Sequence, residues 1–124
     1  MDKITPEALK KIREAEIEAL AQKKAAKLGL PYINLASYPI KPEAIRVLSL
    51  DEARLASCVV FEKNKKGFRL ALTDPANPNA RLIISNLKKL GNVEVFITSE
   101  RGLDRFLKAK AALPKERKEI RDEL

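Results

Sequence analysis

The apolar positions near the start of the chain predict one long helix with two apolar faces. Helical spacing runs over Pro6–Leu28, with Thr5 suited to N-capping and Gly29 suited to ending the helix. Leu9 and Ile12 point in one direction, and Ile17, Ala21 and Leu28 point roughly a quarter turn away. Because one straight helix cannot bury both sets against a single core, either the helix packs irregularly within the domain or its first half contacts a partner.

The next stretch, LGLPYINLASYPI over Leu28–Ile40, contains both tyrosines of the chain and cannot be helical. Gly29 ends the helix and Pro31 prevents it from resuming. The apolar residues of this stretch predict a rigid connector that is anchored on a sheet. Tyr32 and Tyr38 can bury their rings there while each hydroxyl stays in water.

Two short helical patterns follow, and the second has a capping box with Ser49 as N-cap and Glu52 as the third helical residue. Alternating apolar residues in CVVFE and FRLALT, which flank KNKKG, predict a β-hairpin. The DPANPN turn leads into a helix, ARLIISNLKKLG, that we expect Gly91 to cap, and then into a strand, VEVFIT. Strand, helix and strand at this spacing predict a βαβ unit with a right-handed crossover.

A final helix, SERGLDRFLKAKAAL, begins after Ser99 as its N-cap. The predicted fold class is α+β: a small mixed sheet with a hairpin and a βαβ unit, packed helices and a long N-terminal helix. We expect one interaction domain over residues 1–113, made of the N-terminal helix at 1–30 and an α/β core at 31–113. The charged segment PKERKEIRDEL at 114–124 is expected to be a linker or tail.

Composition changes this picture mainly by excluding classes of function. The chain has no histidine, one cysteine and four glycines, and no two glycines are spaced as a phosphate-binding loop requires. Cys58 lies between apolar neighbours in a strand pattern, so we expect a buried, inert thiol. Without histidine or a cysteine cluster, we expect no catalytic residue, no cofactor and no metal site. No apolar run suits a membrane span or a signal peptide, so we expect a cytoplasmic protein.

The formal charge of +8 indicates a mixed surface with a basic bias. One basic cluster surrounds the hairpin tip KNKKG, and a second forms a stripe on the final helix. A solvated surface, an acidic protein partner and nucleic acid are all compatible with these clusters, although the core-like positions of the phenylalanines disfavour nucleic acid. The candidate partner-binding residues are Leu9, Ile12, Arg101, Arg105 and Lys108.

The order of these segments resembles a known family. LGLPYINL is followed by YPIKPEAIRVLSLDEARLASCVVFEKNKKGFRLALTDPANP, then by a helix and GNVEVFITSERGLDRFL. This order is similar to that of the N-terminal domain of the ATPases of type IV pilus assembly and type II secretion systems. The resemblance covers about Leu20–Lys110, and its most specific part is LGLPYINL together with the TDP turn.

The resemblance implies a non-catalytic docking and regulatory domain. It would couple the ATPase motor, which is expected in the C-terminal part of the same parent chain, to the cytoplasmic domains of inner-membrane platform proteins. The domain would then be cytoplasmic and peripheral to the inner membrane. The alternative function is a stand-alone basic nucleic-acid-binding domain.

The resemblance also bears on a second messenger. Some members of the family bind cyclic di-GMP through a motif that begins Arg-Leu-Gly and lies upstream of the Leu-Gly-Leu-Pro stretch. Here only Met1, Asp2 and Lys3 precede ITPEAL, and the helix is longer than that motif allows. We therefore expect that cyclic di-GMP is not a partner of this domain.

Overall fold

The computed structural model describes residues 5–113, which form five helices and three strands. The elements are α1 (Pro6–Leu28), α2 (Pro42–Ile45), α3 (Leu50–Ala56), β1 (Cys58–Lys63), β2 (Gly67–Leu72), α4 (Pro78–Lys88), β3 (Asn92–Ile97) and α5 (Glu100–Ala112). The predicted α+β class is confirmed. The charged segment at 114–124 lies outside the described residues.

The sheet has the order β1-β2-β3. Strands β1 and β2 form the predicted antiparallel hairpin, and β2 and β3 are parallel and are joined through α4, as a βαβ unit requires. The register of the hairpin shifts between Val60 and Glu62, so that Phe61 is the extra residue of a β-bulge. A bulge places two consecutive side chains on one face of the sheet, and Phe61 and Glu62 both lie on the face that contacts Tyr38.

Both faces of the sheet are buried, because apolar side chains of the strands point to both faces. On one face, Val60, Leu70 and Ile97 pack with residues of α4 and with Ala25 of α1. On the other face, buried residues of β1 and β2 pack with α5, α3 and the connector; these are Leu35, Ile45, Ala53, Val59, Phe61, Ala71, Leu103 and Phe106. Full burial of one phenylalanine side chain stabilises the folded state by about 1.5–3 kcal/mol. Because apolar side chains are buried on both faces, packing on each side of the sheet stabilises the domain.

Helix α1 is attached to this core only by its second half. Its buried residues are Glu18, Ala21 and Ala25, and no residue from Thr5 to Ile17 is buried. The predicted termini are confirmed: the Thr5 side chain accepts a hydrogen bond from the Ala8 N–H, and Gly29 ends the helix at φ 70°. That left-handed conformation favours glycine, because any side chain there would be strained.

The connector after α1 adds a short piece to the free edge of β3. The Ile97 N–H donates to the Pro31 carbonyl at 2.8 Å, and the Ile33 N–H donates to the Ile97 carbonyl at 2.9 Å. This parallel bridge fixes where the chain leaves α1, and it places Tyr32 beside that helix.

One predicted helix end is wrong. Helix α4 ends at Lys88, with Lys89 as a right-handed C-cap, and Gly91 does not cap it. A Cβ atom on Gly91 would lie 3.0 Å from the Lys66 carbonyl oxygen, so this glycine allows close approach to the hairpin turn instead.

Candidate functional site

A cleft of about 380 Å³ lies between α1 and the start of α5. It is at the carboxyl ends of the parallel strands β2 and β3, the edge at which ligands bind in many sheets of this kind. Its lining combines apolar side chains of α1 with polar residues that follow the two strands; these are Ile17, Leu20, Ala21, Lys24, Thr73, Thr98, Ser99, Glu100 and Arg101.

A buried carboxylate holds α1 against α5 beside this cleft. Glu18 accepts hydrogen bonds from the Ser99 hydroxyl at 2.6 Å, from the Arg101 Nε at 3.2 Å and from the Tyr32 hydroxyl. Ser99 also caps α5, because its Oγ accepts the Gly102 N–H at 3.1 Å. Burial, and after it the bond to Glu18, raises the pKa of Tyr32 above its usual range. Glu18 therefore joins the two walls of the cleft, together with the ion pair of Glu14 with Arg101 at 3.7 Å.

The cleft offers groups that suit an anionic ligand. Lys24 supplies positive charge, and its Nζ donates to the Thr73 carbonyl at 2.5 Å, whereas Arg101 is already paired with Glu14 and Glu18. Thr98 Oγ1 is buried and has no hydrogen-bond partner among the residues that the structure describes. Two exposed apolar side chains, Ile17 and Leu20, can contact an uncharged part of the same ligand.

The other tyrosine of the connector forms a similar pair with a second glutamate. Glu62 accepts hydrogen bonds from the Tyr38 hydroxyl and from Lys41 Nζ, the latter at 2.5 Å. The bond from Lys41, and then the bond from Tyr38, lowers the pKa of Glu62. Burial, and then Glu62, raises the pKa of Tyr38, whose ring contacts Phe61 edge-on with centroids 5.2 Å apart.

The expectation for the two tyrosines is incomplete, because each hydroxyl also donates to a carboxylate. Tyr32 donates to Glu18 of α1, and Tyr38 donates to Glu62 of β1. The sequence did not indicate either partner. Glu18 itself could have been found, because it precedes the buried Ala21 and Ala25 at helical spacing and so lies on the inner face of α1.

The structure separates the candidate partner-binding residues. Leu9 and Ile12 are exposed on the first half of α1. Arg101 contacts Glu18, and Arg105 Nη1 donates to the carbonyls of Leu35 and Tyr38, each at 2.7 Å. Lys108 is exposed and forms an ion pair with Asp104 at 3.0 Å. Two of the three cations of the expected basic stripe thus bind within the domain, and the role of all five residues in partner binding stays a prediction.

Cys58 is fully buried, as predicted, and burial, followed by the charge of Glu52, raises the pKa of its thiol to about 12. Phe61 and Phe106 are also fully buried, which leaves their rings unable to stack on a base. Within residues 5–113, no group of three potential ligands could hold a metal ion. Over the same residues, no helix has the length and apolar character needed to cross a bilayer.

Comparison with known protein families gives a match to the MshEN domain over residues 28–110. The chain belongs to the MshEN domain family. This is the N-terminal domain of type II secretion and type IV pilus ATPases, which confirms the resemblance of the segment order. A comparison with curated proteins finds no match.

The fold of this MshEN domain is similar to that of a solved structure of MshE with cyclic di-GMP. The TM-score is 0.64 at 25% sequence identity, and the similarity covers 73% of this chain and 66% of the MshE chain. The matched family is that of a domain at the N-terminus of these ATPases and not that of their catalytic part.

The expectation that cyclic di-GMP is not a partner is contradicted by this comparison. The matched MshE structure was solved with that ligand, which overturns the expectation. The error came from treating one upstream motif as the only basis for binding. A ligand site is a three-dimensional arrangement of charges and donors, and residues far apart in the sequence can build it.

Proposed function

We propose that this MshEN domain is a non-catalytic regulatory domain that binds cyclic di-GMP and couples an ATPase motor to the cytoplasmic domains of its inner-membrane platform. The observation that carries this proposal is the family match over residues 28–110 together with the likeness to MshE with cyclic di-GMP. The domain acts in the cytoplasm, peripheral to the membrane, and the motor belongs to the same parent chain.

The cleft between α1 and α5 is the best candidate for the ligand site. Cyclic di-GMP carries two phosphates and two flat bases, so a site for it needs cations and an apolar wall. Lys24 and the N-terminus of α5 supply positive potential, which Glu100 in the first turn of that helix offsets in part, and Leu20 supplies an apolar surface. These features support binding at this edge of the sheet. A second cleft, at the hairpin tip, also has cations, Lys66, Arg69 and Lys88, but its lining is mainly polar.

Isothermal titration calorimetry with cyclic di-GMP tests the proposed site. We expect measurable binding and a loss of about tenfold in affinity for Lys24→Ala, because a charge-assisted bond contributes about 1.5–3 kcal/mol. Lys88→Ala is the matched control, because Lys88 lines the cleft at the hairpin end and should leave binding unchanged. Absence of heat with cyclic di-GMP, or an equal loss for both variants, would count against the proposal.

The proposed coupling role is tested separately by pull-down of purified platform fragments with this domain. We expect retention of a platform fragment that falls when Ile12→Asp is introduced on α1 or Lys108→Glu on α5, since both side chains are exposed. Retention of no fragment contradicts coupling. Hydrolysis of ATP by the purified domain would contradict its non-catalytic character.

A further inference from the structure

Exposed apolar side chains are concentrated on α1. Of the eight exposed large hydrophobic residues in the described part of the chain, five lie on this helix: Leu9, Ile12, Ile17, Leu20 and Leu28. Leu9, Ile12 and Leu20 share one direction at helical spacing, and Leu20 also lines the cleft together with Ile17. We call Leu9, Ile12 and Leu20 the outer face of α1. They are 38%, 47% and 65% exposed, and so the outer face is open to a partner.

The outer face is opposite the side of α1 that packs on the core. Glu18, Ala21 and Ala25 define the inner side. Leu9 and Leu20 are eleven positions apart, or about 16 Å at 1.5 Å per residue, which corresponds to three turns. A partner element that covers this length along a helix is itself most simply a helix, because its side chains then repeat at the same spacing.

Positive charge surrounds the outer face. The cations of α1 are Lys10, Lys11, Arg13, Lys23, Lys24 and Lys27, of which Arg13, Lys23 and Lys27 lie nearest the outer face at helical spacing and Lys11 lies toward the inner side. None of them forms an ion pair with any described residue, as Lys24 contacts only a carbonyl. Two of the helix's acidic residues, Glu14 and Glu18, are directed to Arg101. Only Glu7 and Glu16 remain to balance six cations, so the solvent side of α1 is basic on balance, and Glu16 lies on the outer face between Ile12 and Leu20.

We propose that the outer face of α1 docks an amphipathic helix of a partner protein whose apolar stripe is flanked by acidic residues. The apolar stripe covers Leu9, Ile12 and Leu20, and the acidic flanks meet the unpaired cations. Lys23 and Lys27 lie in the last two turns of α1. An antiparallel partner helix places its first turn beside them. Acidic residues in that first turn are favoured by the dipole of the partner helix and can pair with the two lysines. The proposal rests on the interaction role proposed above and does not depend on cyclic di-GMP.

Other occupants fit the charges less well. A second copy of α1 would bring two sets of unpaired cations together, which costs energy at low salt. A membrane surface requires a broad apolar face, whereas here three side chains over three turns form a narrow stripe. An acidic helix satisfies both the apolar stripe and the cations.

Fluorescence anisotropy with a labelled synthetic peptide tests the proposal. The peptide has about 18 residues, or five turns, with leucine at every a and d position of the heptad and glutamate on the flanks. We expect binding that weakens as salt rises and that Ile12→Glu reduces at least tenfold. Leu82→Glu on α4 is the matched control, because Leu82 is 61% exposed and lies outside α1, and it should leave binding unchanged.

The remaining arms identify the occupant. A peptide with lysine in place of each glutamate should not bind, and equal binding of both peptides overturns the proposal. Absence of binding, an equal effect of Leu82→Glu, concentration-dependent dimerisation that Ile12→Glu abolishes, or binding to phosphatidylglycerol vesicles in preference to the peptide also overturns it. Ile12 does not line the cleft, so Ile12→Glu should leave the cyclic di-GMP titration unchanged. Failure of the ligand site and failure of the docking face are thus distinguished.

Discussion

The two tyrosine–glutamate pairs of the connector use the same chemistry in different surroundings. Glu18, on α1, binds Tyr32 together with Ser99 and Arg101, and its side chain is only 10% exposed. Glu62, at the bulge of β1, binds Tyr38 and Lys41, and its side chain is 20% exposed beside a lysine that is 39% exposed. The first pair joins three parts of the fold, whereas the second fastens the connector to one strand.

This difference shows where the domain is most sensitive. If the Glu18 pair breaks, α1 loses its main polar attachment, and both the cleft and the outer face change position relative to the sheet. If the Glu62 pair breaks, the core packing of Phe61 and of the connector remains. A change at Glu18 should therefore affect both the stability of the domain and the position of its proposed surfaces. A change at Glu62 should affect stability with little effect on those surfaces.

The largest effect is expected for Glu18→Ala. The change leaves three donors without this acceptor, and Ser99 among them is buried, which should lower the free energy of unfolding by about 2–4 kcal/mol. Urea denaturation measures it, and Glu16→Ala, at an exposed position of the same helix, should change stability by less than about 0.5 kcal/mol. Equal stability of Glu18→Ala and Glu16→Ala would mean that the contacts of Glu18 contribute no more than an exposed carboxylate. The special role given to the Glu18 pair would then be wrong.

Arg105→Ala tests the part of the connector between the two pairs. It removes two charge-assisted bonds to the carbonyls of Leu35 and Tyr38, and we expect a loss of about 2 kcal/mol. Lys108→Ala, which removes one exposed ion pair on the same helix, should cost only about 0.3–0.5 kcal/mol. If Arg105→Ala is as mild as Lys108→Ala, Arg105 belongs to a solvated surface after all.

Removal of single hydroxyls compares the pairs directly. Tyr32→Phe should cost about 1–1.5 kcal/mol and Tyr38→Phe about 0.5–1 kcal/mol, because the acceptor of Tyr32 is the more deeply buried one. Thermal unfolding measured for both variants in one buffer gives the difference. A larger loss for Tyr38→Phe would reverse the proposed order of the two pairs.

The smallest effect is a dependence on pH. The lowered pKa of Glu62 means that its charged form stabilises the folded state at pH values above the usual glutamate pKa of about 4.3. As pH falls through the lowered pKa, protonation removes that contribution. The stability difference between the wild-type domain and Glu62→Gln should therefore be constant near neutral pH and narrow below about pH 4.

Urea denaturation across this range measures the effect, and Glu43→Gln, at an exposed position of α2, controls for the loss of one carboxylate. A stability difference that widens on acidification would have the wrong sign.

Local sequence patterns predicted most of the elements. The capping box of α3 is present with both of its hydrogen bonds, Ser99 caps α5, and the hairpin and the parallel pair lie where the alternation placed them. These features depend on residues that are close in the chain, so their chemistry is visible without the fold. The bulge at Phe61 was not predicted, because it adds no residue type that differs from an ordinary strand.

The candidate site was accessible to sequence reasoning only in part. Leu9 and Ile12 were selected from helical spacing, and both are exposed. The basic stripe was inferred from the spacing of Arg101 and Arg105, but whether a cation faces solvent depends on what packs beside its helix. Here α1 and the connector cover that side of α5, and both arginines bind to them.

By itself, the sequence determined that this chain forms a mixed sheet with covering helices and contains neither histidine nor a phosphate-binding loop. Periodicity and composition are local properties, and they suffice for such conclusions. Only the tertiary structure decided that Glu18 meets Arg101 and Ser99, which are more than eighty positions away, and that a cleft opens beside them. Contacts across such separations follow from how the elements pack, because side chains far apart in sequence become neighbours only when the core forms.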